Sequence, residues 1–175
     1  MLSTKRVYEG RIINLRVDTV ALQDGHTSTR EVVEYAGAVA IVAVNEKDEL
    51  LLVRQFRYAV GQTLLELPAG KVEPGEDYAA SAGRELLEET GYEAKKIEPL
   101  ITFYTTPGFT NEKIEVFTAS DLTLKNQNLD DDEFIDVEPV SFEKVLDMIA
   151  KGEICDAKST AGILAYYYLK RQAGL

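Results

Sequence analysis

Apolar and polar residues alternate along the first part of the chain, with the two-residue period of a β-strand. The alternation runs over residues 7–22 and resumes over residues 28–35, after a turn at Asp24-Gly25. Asp-Gly pairs favour the tight turns that join antiparallel strands. We therefore predict an N-terminal antiparallel sheet.

Continuous apolar runs predict further strands. Residues 38–44 and 50–53 are wholly apolar and are separated by the polar turn NEKDE. Runs of this length are typical of strands that are buried on both faces. Shorter strand-like segments follow at residues 64–70, 101–104, 113–120 and 134–140.

A helix is predicted over residues 77–90. Asp77 is suited to cap the free amide groups of its first turn, and Gly91 is suited to end it in a left-handed conformation. Apolar or small residues recur at three- and four-residue spacing, which places them on one buried face: Ala79, Ala82, Leu86 and Thr90.

Two more helices are predicted near the C-terminus. The first begins at the capping residue Ser141 and runs to about residue 150. The second spans residues 157–172. Its predicted packing stripe consists of Ile163, Leu164, Tyr167 and Tyr168.

Composition narrows the possible chemistry. The formal charge is −11 at pH 7, which argues against a nucleic-acid partner. The only histidine, His26, lies in a turn, so a general base must be a carboxylate. The only cysteine, Cys155, allows no internal disulfide. No apolar run approaches the ~20 residues of a membrane span, and we expect a cytoplasmic protein with no membrane partner.

Three carboxylates lie close together on the helix over residues 77–90. Glu85, Glu88 and Glu89 fall within about one turn, and Arg84 lies four residues before Glu88, where it can hold that carboxylate. Oxygen ligands without nearby His or Cys select hard cations such as Mg²⁺ or Mn²⁺. The alternative is a solvated acidic helix face without a metal.

The residues around this cluster resemble the Nudix box at every specified position. Nine positions at fixed spacing carry the resemblance: Gly70, Glu76, Arg84, Glu85, Leu86, Glu88, Glu89, Gly91 and Tyr92. The resemblance implies an α/β Nudix fold, with a mixed β-sheet sandwiched between helices (α/β/α). It also implies a hydrolase that cuts nucleoside diphosphates linked to another group.

The resemblance also assigns roles at the metal site. It implies that divalent ions are held by Glu85, Glu89 and the carbonyl oxygen of Ala69, with Glu88 or Glu112 as further ligands. Arg84 is counted with the catalytic residues.

Further residues are predicted to contact the substrate. Arg54 and Arg57 follow a buried strand and are suited to bidentate phosphate contacts. The resemblance favours Arg54, whereas Arg57 is as well explained by a surface role. Glu66 is expected to accept a hydrogen bond from the substrate or from an arginine.

The region after the helix supplies the candidate general bases. Pro107 stands sixteen residues after Gly91, as in the Nudix enzymes that hydrolyse ADP-ribose, and we predict substrate contacts at Pro107 and Gly108. The acidic run 130–133 is expected to be a mobile loop. Its last residue, Glu133, matches the position of a catalytic glutamate in related enzymes, and Glu112 is the competing candidate.

The N-terminal sheet is expected to form part of the interface of a homodimer. In the ADP-ribose subfamily such a sheet crosses to the partner subunit, which would place Arg30 and Glu31 near the bound nucleotide. Ordinary surface pairing explains these two residues equally well. We divide the chain into an N-terminal region, residues 1–36, exchanged in the dimer, and a Nudix hydrolase domain, residues 37–175.

The resulting hypothesis is Mg²⁺-dependent hydrolysis of ADP-ribose to AMP and ribose 5-phosphate. One alternative is a Nudix pyrophosphatase that acts on nucleotide sugars or oxidised nucleotides. Another is a sensor that binds ADP-ribose without cutting it, although three adjacent negative charges give such a protein no advantage. Since the chain has no tryptophan, the base is expected to stack on an aromatic residue such as Tyr8, Phe56 or Phe109.

Overall fold

The computed structural model describes residues 1–129 and 133–172, which form strands and three helices. The elements, in chain order, are β1 (Ser3–Glu9), β2 (Asn14–Ala21), β3 (Thr27–Glu34), β4 (Ala38–Ala43), β5 (Glu49–Arg57), β6 (Gln62–Glu66), β7 (Ala69–Lys71), α1 (Tyr78–Thr90), β8 (Tyr92–Tyr104), β9 (Lys113–Leu124), β10 (Ile135–Ser141), α2 (Phe142–Lys151) and α3 (Ala157–Gln172).

The first three strands form an antiparallel sheet of their own, in the order β1-β2-β3. The predicted N-terminal sheet is therefore confirmed. All seven residues of β1 are exposed. The sheet meets the rest of the chain through backbone hydrogen bonds of Val33 to Phe109 and Asn111. Within the described residues of one chain, β1 is thus an uncovered edge strand.

Two further sheets form the centre of the fold. A four-stranded sheet has the order β7-β4-β9-β8, in which β4 and β9 run parallel and the other neighbours run antiparallel. An antiparallel sheet has the order β10-β5-β6. The two sheets meet where Val44 bridges Leu50 at the turn between β4 and β5.

The two faces of β4 pack against different helices. Ile41 lies in a core cluster with Leu86 of α1. Val42 lies in the opposite cluster, with Val145 of α2 and Ile163 of α3. Successive strand residues point to opposite faces, so the continuous apolar run of β4 is buried on both sides. The predicted α/β/α arrangement is confirmed.

The ends of α1 agree with the sequence prediction. The side chain of Asp77 accepts hydrogen bonds from the backbone amides of Ala79 and Ala80. Gly91 ends the helix with φ of 72°, a conformation that is costly for residues with a Cβ. Ala82 and Leu86 are fully buried. The caps therefore fix both ends of the helix that carries the acidic cluster.

The predicted packing stripe of α3 is partly wrong. Ile163 is buried, but Leu164 is 43% exposed and Tyr168 is 62% exposed. The buried face instead contains Ser159 and Gly162. A Cβ at Gly162 would stand 2.9 Å from a side-chain carbon of Leu67, so α3 approaches the sheet through small residues.

Strand β8 is longer than predicted and begins at Tyr92 instead of residue 101. Its first half alternates between half-buried and exposed positions along the edge of the four-stranded sheet. Among the described residues, no helix is long and apolar enough to cross a membrane.

Candidate active site

A cleft of about 810 Å³ opens beside the acidic helix. It is lined by α1, by β7 with the loop that follows it, by the end of β5 and by the start of α3. The lining includes the carboxylates of α1 and the cations Arg57 and Lys158. The cleft therefore combines negative and positive groups, as the binding of a metal–phosphate complex requires.

Arg84 joins the loop before α1 to the acidic helix. It donates two hydrogen bonds to Glu76, at 2.9 and 3.0 Å, and one each to Glu85 at 2.8 Å and Glu88 at 2.9 Å. Hydrogen bonds from Arg84 and from the Glu73 amide lower the pKa of Glu76 to about 2. Arg84 thus holds more carboxylates than the one predicted.

The glycine at the start of the box leaves room for a carboxylate. A Cβ at Gly70 would stand 1.9 Å from Cδ of Glu85, so the Glu85 carboxyl group occupies the space of the missing side chain. Burial raises the pKa of Glu85, and the charges of Glu88 and Glu133 add to this effect.

Ala69 presents its backbone to the acidic helix. The Ile41 amide donates a hydrogen bond to the carbonyl oxygen of Pro68 at 2.9 Å, and the Val72 amide donates one to the carbonyl oxygen of Gly37 at 3.0 Å. In an antiparallel ladder of this register, Ala69 sits in a non-hydrogen-bonded pair, so its N–H and C=O face away from β4. Its N–H donates to Oε2 of Glu89 at 2.9 Å.

Glu89 is buried at the base of the cleft. Burial raises its pKa to about 8, and the charges of Glu85 and Glu133 push it in the same direction. The Ala69 amide and the charge of Arg57 oppose this shift. Glu89 is therefore largely protonated at neutral pH in the metal-free protein.

The donor atoms here fit a hard divalent cation. Within residues 1–129 and 133–172, no three His, Cys, Asp or Glu side chains are already grouped as a metal site. Arg84 instead binds both Glu85 and Glu88. Carboxylate and carbonyl oxygens are nonetheless the ligands that such ions prefer. The individual ligand assignments stay predictions.

The cationic side of the cleft is organised by one buried carboxylate. Glu66 is 1% exposed. It accepts two hydrogen bonds from Arg57, at 2.9 and 2.7 Å, and it also binds Lys158. Burial alone would raise the pKa of Glu66, but Arg57 and Lys158 hold it below its usual value.

Arg54 lies elsewhere. It forms two hydrogen bonds with Glu138 of the neighbouring strand β10, and it does not line the cleft. Alternation along β5 explains this difference from Arg57, because residues three apart point to opposite faces. Within this chain, Arg57 therefore lines the cleft and Arg54 does not, and the phosphate contacts of both stay predictions.

Both candidate bases line the cleft. Oε2 of Glu112 accepts a hydrogen bond from the Thr105 hydroxyl at 2.6 Å. Glu133 is close enough to Glu85 and Glu89 for its charge to raise the pKa of both. The rest of the acidic run, Asp130 to Asp132, lies outside the described residues.

The remaining predicted substrate contacts lie outside the cleft of this single chain. Pro107 and Gly108 belong to the loop before β9, where neighbouring Phe109 contacts Val33 of β3. Glu31 is exposed on β3 and lies opposite Val17. The roles assigned to these three residues stay predictions.

The comparisons with known proteins agree with this geometry. A family model described as NUDIX domain matches residues 34–162. The chain is 42% identical to the ADP-ribose pyrophosphatase of Bacillus subtilis (strain 168) over 171 residues, which is 97% of this chain and 92% of that protein.

The chain belongs to the Nudix hydrolase family.

Other comparisons extend to the N-terminal residues of this Nudix protein. A model described as nucleoside diphosphate sugar hydrolase N-terminal domain matches residues 1–33. The methanol dehydrogenase activator of Bacillus methanolicus is 40% identical over 99% of this chain and 94% of its own. A solved structure, "Crystal structure of ADP compounds hydrolase", superposes with a TM-score of 0.90 at 21% identity, covering 99% and 94% of the two chains, and it supports the fold. Nudix hydrolases generally need divalent metal ions.

Sequence reasoning missed several residues of the Nudix cleft. Gln55 lines it, and its Oε1 is buried without a hydrogen-bond partner among the described residues. Its spacing of two from Arg57 puts both on one strand face, which is a usable signal. Tyr35 also lines the cleft, and burial raises its pKa. Lys158 carried no signal, because it reaches the site from a distant helix.

Proposed function

We propose that this Nudix hydrolase cleaves the diphosphate bond of ADP-ribose with water, which yields AMP and ribose 5-phosphate. The observation that carries the proposal is the cleft itself, in which the half-buried Glu85 and the buried Glu89 lie with Arg57 and Lys158. The relative from Bacillus subtilis, named ADP-ribose pyrophosphatase, supports the choice of substrate.

Mg²⁺ is the proposed metal, with Mn²⁺ as the alternative, because the donors are all oxygen. Glu85, Glu89, Glu88 and the carbonyl oxygen of Ala69 would hold it, and Glu112 is a further candidate ligand. When bound, the ion neutralises phosphate charge and lowers the pKa of water. Arg84 orients Glu85 and Glu88 through its hydrogen bonds.

Either Glu133 or Glu112 accepts the proton of the attacking water in this proposal. Both line the cleft. We favour Glu133, because it lies close enough to Glu85 and Glu89 for its charge to raise the pKa of both, so its carboxylate is near the proposed metal ligands.

A homodimer is proposed for the working enzyme. The exposed strand β1 offers unpaired backbone groups and the apolar side chains of Val7 and Tyr8, which are 53% and 55% exposed. Contacts of Glu31, Pro107 and Gly108 with the nucleotide would then come from the assembled pair of subunits. The single cysteine supports a cytoplasmic location.

A second candidate function is hydrolysis of a nucleoside diphosphate sugar. The match of residues 1–33 to the N-terminal domain of such hydrolases favours it. The chemistry at the diphosphate would be the same, and only the group beyond it would differ.

The decisive experiment measures release of the nucleoside monophosphate from a panel of nucleoside diphosphate derivatives, in Mg²⁺ and in Mn²⁺. ADP-ribose, ADP-glucose and an oxidised nucleotide should be compared at equal concentration. We expect the highest kcat/KM for ADP-ribose, and a loss of at least about 100-fold in Glu85→Gln. A preference for ADP-glucose would favour the second candidate, and absence of any turnover would reject both.

A further inference from the structure

Lys158 lines the cleft, although no sequence motif predicted a role for it there. It is the second residue of α3, and its ammonium contacts the Glu66 carboxylate and donates to Oδ2 of Asp156 at 2.9 Å. Its side chain is only 14% exposed. It lines the cleft together with Arg57.

The backbone around Lys158 is held firmly. The hydroxyl oxygen of Ser159 accepts a buried hydrogen bond from the Leu67 amide at 2.7 Å, which fastens α3 to the end of β6. Asp156 accepts hydrogen bonds from the amides of Ser159 and Thr160 at the start of the helix. The position of the Lys158 ammonium is therefore set by the fold before any ligand binds.

Neutralising Glu66 does not require Lys158. Arg57 already forms a bidentate pair with this carboxylate, which matches its charge one to one. Lys158 also pairs with Asp156, so Arg57, Lys158, Glu66 and Asp156 form a network of two cations and two carboxylates. Both cations of this network line the cleft.

Lys158 has a donor to spare for a ligand. An ammonium carries three N–H donors, and Glu66 and Asp156 take two of them. Arg57 uses Nε and one terminal nitrogen on Glu66, which leaves its other terminal nitrogen unengaged by that pair. Both cations thus retain donors beside the cleft.

We propose that Lys158 is a substrate-binding residue, which donates a hydrogen bond to a phosphate oxygen of the nucleoside diphosphate beside Arg57. This inference rests on the proposed function and extends it. A contact of this kind, made before and during the reaction, raises KM when it is lost and leaves kcat nearly unchanged.

The first test compares Lys158→Met with Lys170→Met in steady-state hydrolysis of ADP-ribose. Lys170 lies on the same helix and pairs with Asp48 away from the cleft, so it is the matched control. We expect KM to rise about 10- to 100-fold in Lys158→Met, with kcat within about threefold of wild type. Lys170→Met should keep both constants. An unchanged KM in a folded Lys158→Met protein overturns the proposal.

A second test separates binding from charge balance. In the double variant Asp156→Asn/Lys158→Met, the Asp156 carboxylate that pairs with Lys158 is neutralised as well, whereas Glu66 keeps its bidentate partner Arg57. If Lys158 only balanced charge, the double variant would regain the wild-type KM, which overturns the proposal. If Lys158 binds phosphate, KM stays raised.

A third test measures the affinity for ADP by calorimetry in the absence of metal, so it does not depend on turnover. Weaker ADP binding in Lys158→Met than in wild type, with normal binding in Lys170→Met, supports the inference even if ADP-ribose is not the substrate. Equal binding in all three proteins overturns it. Failure of the proposed function would appear separately, as a wild-type protein that releases no AMP.

Discussion

The carboxyl group of Glu85 lies against the bare Cα of Gly70, in the space that a side chain at residue 70 would fill. The loop and the acidic helix of the Nudix box are therefore in direct contact at the candidate metal site. The glycine is needed here for close approach, and its conformational freedom is secondary.

Gly70→Ala should displace the Glu85 carboxylate and lower turnover by about 100-fold or more, since a shift near 1 Å is enough for such a loss. The matched control is Gly83→Ala, whose Cβ would meet only the terminal carbon of Ile97 at 3.1 Å. Steady-state kinetics and thermal melts of both variants provide the check. Wild-type kcat/KM in Gly70→Ala would contradict this view of the site.

Glu89 gives the metal-free protein a specific pH dependence. Its folded-state pKa of about 8 lies above the unfolded value, so the fold favours the protonated form. The contribution of this group to the free energy of unfolding is fully present below pH ~4.5, and it is lost as the pH rises from there through about 8. The loss is on the order of a few kcal/mol.

Thermal melts of the metal-free protein between pH 5 and 8 measure this effect. We expect Tm to fall more steeply with pH in wild type than in Glu89→Gln, and added Mg²⁺ to oppose the fall. Glu46→Gln, at an exposed turn, serves as the control. Parallel curves for wild type and Glu89→Gln would show that Glu89 is not the titrating group.

Glu133→Gln should lower kcat strongly with little change in substrate affinity, because an interaction made mainly in the transition state is lost. Glu112→Gln should weaken metal or substrate binding instead, and raise KM. Kinetics at saturating ADP-ribose and Mg²⁺ distinguish the two. Near-normal kcat in Glu133→Gln with collapse in Glu112→Gln reverses the assignment.

Assembly is tested by light scattering at the enzyme concentration of the assay. We expect a mass about twice the 19.4 kDa of one chain. Tyr8→Glu, in the exposed strand β1, should weaken the dimer and reduce activity with it, whereas Tyr58→Glu, also exposed but outside the N-terminal sheet, should not. An active monomer would refute a site that is shared between subunits.

Local rules were enough to predict the Nudix helix. Asp77 and Gly91 act as caps, and Ala82 and Leu86 face the core, because these features depend on spacing within a few turns. The double burial of β4 was likewise readable from its unbroken apolar run.

The rest of the site depends on contacts between distant segments. Glu66 and Lys158 are 92 positions apart, and the sequence around each residue does not predict their contact. Arg57 was ranked below Arg54, although only Arg57 shares a strand face with Gln55. On α3, the apolar pattern predicted that Leu164 and Tyr168 face the core, but both are exposed. Gly162 is buried instead, where the helix approaches the sheet closely. Apolar periodicity does not predict a glycine at such a contact.

The position of β4 between β7 and β9 has a consequence for synthesis of the protein. Its first partner, β7, leaves the ribosome soon after it, but its parallel partner β9 follows only after α1 and β8. Until then, one edge of β4 has unpaired backbone groups, and one of its apolar faces still lacks α3, which follows β9 in the chain. We expect nascent chains that end before β9 to bind chaperones or aggregate, and productive folding to await the synthesis of β9 and α3.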